Sequence, residues 1–398
     1  MKLKLFSFLA SALFLAACQS NSATESNKSL LSAATEASAT VKLVPGEEYF
    51  SELMSLLSEP LEADTSIDVM HFNFFTDTPG HVRDIGNQLK AIKAAHPDVR
   101  IRLALEGEKD KEKPDGKGAA QRNQKTVAFF AGSGVEIHMI YGLRAAAIKG
   151  VTHAKAVRVG NKLLSGSTNL TNTSLDKNNE FNVLVDSKKI SKAFENYLND
   201  VIQNPGMLNP LSAVSGKVTM LTDTLYYDEA LKLIKSARNG ENLDLTTYFF
   251  AAFRKGNDGE DLPGDEKANT VFKALVAAQE RGVNVRVFLE RAEVRPGSNL
   301  NGDITKSNLN IARLFQEAGL TSVYFDKTDK ISHAKIIKVS GDSRAEALLG
   351  STNIYRGDLD ENHQVNLLLK DLYVVHAITP WIDAKIQDEG TEFGQIGQ

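Results

Sequence analysis

Short apolar runs rich in β-branched and aromatic residues alternate along this chain with longer stretches whose apolar positions recur at helical spacing. The first kind reads as buried strand, the second as amphipathic helix. Val41-Lys42-Leu43-Val44 predicts a strand leading into a helix near 47–57, and Val218-Thr219-Met220-Leu221 predicts another leading into a helix near 227–237. The strand 67–75 is mirrored by 243–250. A helix over 82–95 before a strand over 99–105 is mirrored by 271–280 before 283–289. A helix over 123–131 before a strand over 135–140 is mirrored by 308–317 before 321–325. The series is written twice. Such alternation predicts an α/β protein of two halves, 41–204 and 217–386, each a mostly parallel mixed sheet flanked by helices. The segment 205–216, opened by Pro205-Gly206 and closed by Gly216, predicts the linker.

Two charged segments punctuated by Gly and Pro, 106–118 and 291–306, follow the C-terminal ends of matching strands. α/β proteins place binding loops there, so a lid and a solvated surface loop both fit. The polar tail 387–398 is expected to fray.

The N-terminus departs from this pattern. Lys2 and Lys4 precede an apolar stretch from Leu5 to Ala17, too short to span a bilayer, which ends in Leu15-Ala16-Ala17-Cys18. That ending resembles the lipobox of bacterial lipoproteins. The resemblance implies that 1–17 is a signal peptide cleaved before Cys18, that Cys18 carries a lipid thioether, and that the new N-terminus is acylated. The Ser/Ala/Asn-rich segment 18–40 then serves as a flexible tether. A multiple-chain anchor of this kind holds a protein stably to an envelope membrane. Gln19 rather than Asp favours the outer membrane under the enterobacterial sorting rule. Cys18 is the single cysteine, so no intramolecular disulfide can form.

The candidate chemistry lies in a second repetition. His153-Ala154-Lys155 recurs as His333-Ala334-Lys335, and each copy is followed by Gly-Ser-Thr-Asn at 166–169 and 350–353. Each Asn is followed 11 positions on by Glu180 or Gln364, which opens an apolar run. In a strand, residues i and i+2 share a face, so each His is expected to project with its Lys from 152–159 or 331–339. Ser167, Asn169, Ser351 and Asn353 offer neutral donors, and Glu180 and Gln364 can accept from an imidazole N–H. Two imidazoles, two ammonium groups and neutral donors suit a phosphodiester. One histidine attacks phosphorus, the other protonates the leaving oxygen and then activates water, and the lysines stabilise the non-bridging oxygens. No metal or other cofactor is needed.

This constellation resembles the phospholipase D superfamily, whose signature is His-x-Lys, four residues, Asp, and a downstream Gly-Ser-x-Asn. The resemblance spans nearly all of the chain after residue 41. It implies two α/β halves related by a pseudo-twofold axis, with one site at their interface. In the family the N-terminal-half histidine is commonly the nucleophile, which gives attack to His153 and acid/base work to His333. The signature Asp is missing from both copies, replaced by Gly160 and Ser340. The activity implied is hydrolysis or transfer of phospholipid head groups beside the membrane that holds Cys18. Two alternatives stand: a secreted endonuclease of the same superfamily, and an inactive anion- or lipid-binding lipoprotein.

Bulk properties modify this little. A 42% hydrophobic and 24% charged content is that of a globular protein, and a net charge of −4 gives no general attraction to nucleic acid. The other histidines, His71, His81, His96, His138, His363 and His376, lack zinc-ligand spacing. His71 is expected in a core or supporting place, since its repeat partner is Thr247. Glu106 and Glu290 occupy matching strand ends and read either as lining the mouth or as solvated carboxylates. The aromatic runs Phe72, Phe74, Phe75 and Tyr248, Phe249, Phe250 read as core.

Overall fold

The computed structural model describes residues 38–61, 65–107, 118–141, 150–253, 265–291 and 302–395. The signal peptide, Cys18, most of the tether and the middles of both charged loops lie outside the described residues.

The first half runs β1 (Thr40–Pro45), α1 (Gly46–Ser58), β2 (Ser66–His71), α2 (His81–Ala95), β3 (Arg100–Glu106), α3 (Ala119–Phe130), β4 (Glu136–Ile140), β5 (Lys155–Val159), β6 (Lys162–Gly166), α4 (Asn172–Asp176), β7 (Phe181–Asp186) and α5 (Lys188–Gln203). Its sheet has the order β1-β7-β6-β5-β2-β3-β4. The second half runs β8 (Ser212–Ser215), β9 (Val218–Thr222), α6 (Leu225–Ser236), β10 (Asn242–Thr247), α7 (Glu266–Glu280), β11 (Asn284–Leu289), α8 (Gly302–Glu317), β12 (Val323–Asp326), β13 (Ile336–Ser340), β14 (Ala345–Gly350), a π-helical turn at Gly357–Glu361, β15 (Val365–Leu369), α9 (Leu372–His376), α10 (Thr379–Gln387) and β16 (Gly390–Glu392). Its sheet order, β16-β12-β11-β10-β13-β14-β15-β9-β8, repeats the first with one extra strand at each edge. The fold is α/β, in two mixed sheets with flanking helices.

Four expectations are corrected. The sheets are mixed but not mostly parallel: only β2, β3 and β4, and β10, β11 and β12, pair in parallel. All other pairings are antiparallel, because the helical crossovers end at β4 and β12 and the chain then returns through the hairpins β5–β6 and β13–β14. The linker contributes a strand, since β8 pairs with β9. The tail is not frayed where it is described, since β16 pairs with β12. The second charged loop is shorter than expected, because α8 begins at Gly302.

Apolar side chains form three clusters. One lies between the first sheet and α1 and α2, and another lies between the second sheet and α6, α7 and α8. The third joins the halves: Ala154, Phe181 and Val183 pack in one cluster with Ala334, Ile336, Leu349 and Val365. This shared layer brings the two His-x-Lys segments to one interface. α5 covers it with Phe194, Tyr197, Leu198 and Val201, and the Ser187 hydroxyl caps the helix by accepting from Ile190 N at 3.3 Å.

Candidate active site

The strand that carries each motif begins at or just after its lysine, not at its histidine. Lys155 opens β5 and Lys335 immediately precedes β13, while His153 and His333 sit two residues before their lysines in the approach. These approaches pair with the other half instead. His153 N donates to His363 O at 2.9 Å, and His363 N to Val151 O at 3.0 Å. Reciprocally, His333 N donates to Asn179 O at 2.9 Å, and Asn179 N to Ile331 O at 2.8 Å. Such exchanged contacts are those of a pseudo-twofold relation. Residues 363 and 179 immediately precede Gln364 and Glu180, so the same short segment that fixes each histidine backbone also addresses its ring.

Glu106 and Glu290 support these approaches. Both are buried, and their Oε2 atoms accept from Thr152 N and Ser332 N, each at 2.6 Å. They are not solvated. An acidic residue at the same strand end in both repeats was the signal, and a backbone partner was the missing idea.

Each lysine folds back on its own motif. Lys155 Nζ donates to His153 O at 2.7 Å, and Lys335 Nζ donates to His333 O. Phe72 and Tyr248, read as core, instead form the wall of the site. Their rings meet His153 and His333 edge-on at 5.3 and 5.0 Å, and the two ammonium groups lie 5.8 and 5.3 Å from the ring centres. Phe74, Phe75 and Phe250 are core as expected. His71 pairs with Lys155 across β2 and β5, and neither of its ring nitrogens has a hydrogen-bond partner.

The acceptors cross between halves. His333 Nδ1 lies 2.9 and 3.1 Å from the two carboxylate oxygens of Glu180. His153 Nδ1 lies 3.2 Å from Gln364 Nε2 and 3.3 Å from Asp358 Oδ1. Ser167 and Ser351, expected to meet the phosphate, are fully buried, and their hydroxyls donate to Glu180 and Gln364, each at 2.5 Å. They orient the acceptors instead. The amide nitrogen of Asn353 donates to Asp358 at 2.7 Å, whereas the Asn169 side chain makes no hydrogen bond and its Oδ1 is buried.

Asp358 went unnoticed in the sequence. Presented by the π-helical turn, it accepts from Asn353 N, Asn362 Nδ2 and Gln364 Nε2. Its repeat counterpart is Ser174, eight residues after the motif glycine as Asp358 is. The first half thus carries Ser174 with Glu180, and the second Asp358 with Gln364. The carboxylate has changed place between the repeats, and that exchange was the available signal.

Burial dominates the electrostatics. His153 is held well below the usual imidazole range by desolvation, then by Lys155, Lys335 and His333. His333 is pushed down to about 4 by burial, with Glu180 opposing and the two lysines adding to the fall. Burial lowers Lys335 to about 8 and lowers Lys155 in the same direction, helped by Lys335. Burial raises Glu180, but His333, Lys335 and the Ser167 hydroxyl outweigh it and keep the carboxyl below its ordinary value. Each lysine acts on the other half's histidine, so the four groups share one site.

The missing signature Asp leaves no gap here. Gly160 and Ser340 lie at the far ends of β5 and β13, five residues from the lysines, roughly 16 Å along extended chain. At that end the neighbouring strand supplies the carboxylate. Asp68 accepts from Arg102 Nε and Arg158 Nε, both at 2.8 Å, and Asp244 accepts from Arg286 Nε at 2.7 Å and Lys338 Nζ at 3.0 Å. Among the described residues, no cluster of three His, Cys, Asp or Glu side chains could hold a metal, and no helix is long and apolar enough to cross a membrane.

Comparison with known proteins places this geometry in context. The family model "Cardiolipin synthase, PLD-like domain" matches residues 56–202 and 230–386. Among solved structures, phosphatidylserine synthase of Haemophilus influenzae Rd KW20 superposes with a TM-score of 0.68 at 12% identity, covering 90% of this chain and 89% of that one. Polyphosphate kinase of Porphyromonas gingivalis gives 0.52 at 13% identity, covering 88% of this chain and 50% of that one. No curated protein matches in sequence.

Proposed function

Because this chain belongs to the cardiolipin synthase, PLD-like family of the phospholipase D superfamily, we propose that it is a phosphodiesterase that hydrolyses or exchanges phospholipid head groups. The observation that carries the reading is the reciprocal site: two His–Lys pairs, each imidazole addressed by a polar side chain from the opposite half. Such a site performs two in-line displacements at one phosphorus. An imidazole Nε2 attacks, the other imidazole protonates the departing oxygen, and water or an alcohol then resolves the phosphohistidine. Lys155 and Lys335 meet the non-bridging oxygens in a buried place where their charge is weakly screened. Asn169 adds a neutral donor.

A phospholipid fits this chain better than nucleic acid for three reasons. Its net charge is −4, its family model describes a cardiolipin synthase domain, and its N-terminus resembles a lipoprotein lipobox. In this reading Cys18 is lipidated, the protein is anchored to the bacterial envelope, outer membrane favoured, and the tether keeps the site beside its substrate. The test incubates the chain from Cys18 onward with vesicles of phosphatidylcholine, phosphatidylglycerol or phosphatidylethanolamine, with and without added alcohol. Release or exchange of a head group, unaffected by EDTA and abolished in His153→Asn and His333→Asn, is expected. Plasmid nicking without lipid turnover would move the substrate to nucleic acid. Vesicle binding with no turnover by wild type on either substrate would leave a binding protein.

A further inference from the structure

The two histidines are not equivalent, and the difference lies in what faces each Nδ1. Resting on the phosphodiesterase reading, we infer that His333 is the nucleophile and His153 the acid and base, with Glu180 and Asp358 as their respective positioning residues. This reverses the assignment expected from the family habit.

The attacking histidine ends its first step bonded to phosphorus through Nε2, with a positive ring and a proton on Nδ1. It therefore needs an acceptor on Nδ1 that is anionic, close and unchanging. Glu180 meets His333 Nδ1 at 2.9 and 3.1 Å, and its carboxylate is fixed by Ser167 and by Ser174, whose hydroxyls both donate to it. A carboxylate can only accept, so His333 keeps its proton on Nδ1 and its Nε2 lone pair remains for phosphorus.

His153 faces an amide of fixed orientation. Gln364 Oε1 takes the Ser351 hydroxyl at 2.5 Å and Nε2 donates to Asp358 Oδ1 at 2.6 Å. The amide nitrogen is thus the end that lies 3.2 Å from His153 Nδ1. A neutral ring accepts from that nitrogen on Nδ1 and so carries its proton on Nε2. When the ring is charged, its Nδ1–H has Asp358 Oδ1 as acceptor at 3.3 Å. A phosphodiester anion bound between the lysines favours that charged form. Burial and the lysines depress His153, which has a single carboxylate oxygen, Asp358 Oδ1, at 3.3 Å from Nδ1, whereas Glu180 brings both of its oxygens to His333 and offsets part of the fall there.

The steps balance. The His333 Nε2–P bond forms as the P–O bond to the leaving group breaks, and the departing oxygen takes the Nε2 proton of His153. Water then gives a proton back to His153 Nε2 as its oxygen bonds to phosphorus, and the N–P electron pair returns to His333. The exchange of Ser174/Glu180 for Asp358/Gln364 between repeats places one carboxylate on each ring, through two oxygens at 2.9 and 3.1 Å at the nucleophile and through one oxygen at 3.3 Å, shared with the Gln364 amide, at the acid.

The test uses bis(p-nitrophenyl) phosphate, whose p-nitrophenolate departs without protonation. His153→Ala should release a burst of about one equivalent and accumulate a nitrophenyl-phosphoryl group on residue 333 by intact mass and peptide mapping, because both water activation and turnover need His153. His333→Ala should show neither burst nor adduct. His153→Asn and His333→Asn provide the same readout if the alanine variants do not fold. Asp358→Asn should slow the first displacement on an alkyl phosphodiester on the order of 100-fold while the burst rate on the nitrophenyl ester changes less than a few-fold. An adduct on residue 153, or none in either variant while wild type turns over, overturns the assignment and leaves the phosphodiesterase reading standing. Equal losses in the first displacement on both esters in Asp358→Asn would reduce Asp358 to a structural part and overturn its place here. A wild type silent on every phosphodiester removes both readings together.

Discussion

At the residue scale, the buried lysines set activity and stability against each other. An ordinary Lys titrates near 10.4, whereas burial holds Lys335 at about 8 and lowers Lys155 as well. Between those values the unfolded chain binds more protons than the folded one, so the contribution of these groups to stability rises with pH across the window. Phosphate binding needs the charged form, so kcat/KM should fall as pH rises, with the free-enzyme limb beginning near pH 7, where Lys155 titrates before Lys335. Urea unfolding and initial rates measured at pH 7.5, 8.5 and 9.5 should diverge in this way. Parallel decline of both would mean that the lysines are not charged donors at the site. The four motif residues were legible because His-x-Lys occurs twice with one sequel. Glu180 and Gln364 were legible as imidazole partners, but not which histidine each meets: residue 180 meets residue 333 and residue 364 meets residue 153, and no local spacing reports a contact across the repeat.

At the element scale, the hairpins β5–β6 and β13–β14 carry the site, and their tolerances differ from end to end. A Cβ on Gly166 would meet Phe181 O at 2.4 Å and Asn182 Cα at 2.5 Å. Gly166→Ala therefore forces β6 from β7, and with it Ser167 from Glu180. It should destabilise the fold by about 1–3 kcal/mol and lower kcat more than KM rises, read by denaturant midpoint and steady-state kinetics. At the other end of the same strands, Asp68 is fully buried between Arg102 and Arg158. Asp68→Asn leaves two buried guanidinium groups short of a counter-charge, a loss of about 3–5 kcal/mol. The folded protein should nonetheless keep wild-type kcat, since this end supports the sheet and not the reaction. A large loss of kcat in folded Asp68→Asn would return a catalytic part to the position of the missing signature Asp. Periodicity missed α4, α5, β8, α9 and α10, but it identified the other strands and helices that precede each His-Ala-Lys segment, because apolar spacing records burial. It did not give their pairing, because strand direction depends on where the chain returns. β16 escaped because Gly390-Thr391-Glu392 has no apolar run, and it is held by backbone pairing to β12.

At the scale of the whole molecule, the site depends on parts of the chain remote from either motif. The tail is the clearest case. Lys327 N donates to Glu389 O at 2.8 Å, continuing the pairing of β12 with β16. Asn179 Nδ2 donates to Glu389 Oε2 at 2.5 Å, and Lys385 Nζ donates to Asn179 Oδ1 at 2.9 Å. Asn179 in turn accepts from His333 N and directly precedes Glu180. The last turn of α10 and the strand after it therefore brace the segment of the first half that fixes the second half's histidine. A frayed tail would be dispensable, but a bracing one is not. Truncation after Gln387 removes a strand pairing and leaves Asn179 with one partner fewer, and should cost about 1–3 kcal/mol of stability. It should also reduce turnover several-fold even at temperatures where the truncated chain is fully folded by circular dichroism, because misplacing a reacting group by about an ångström costs rate as well as stability. Glu389→Ala, which keeps the backbone of β16, isolates the side-chain part and should show the rate loss with a smaller change in melting temperature. A truncated chain with wild-type kcat and melting temperature would show that His333 is held in place without the tail, and that the expectation of a loose C-terminus was functionally right despite the strand it forms.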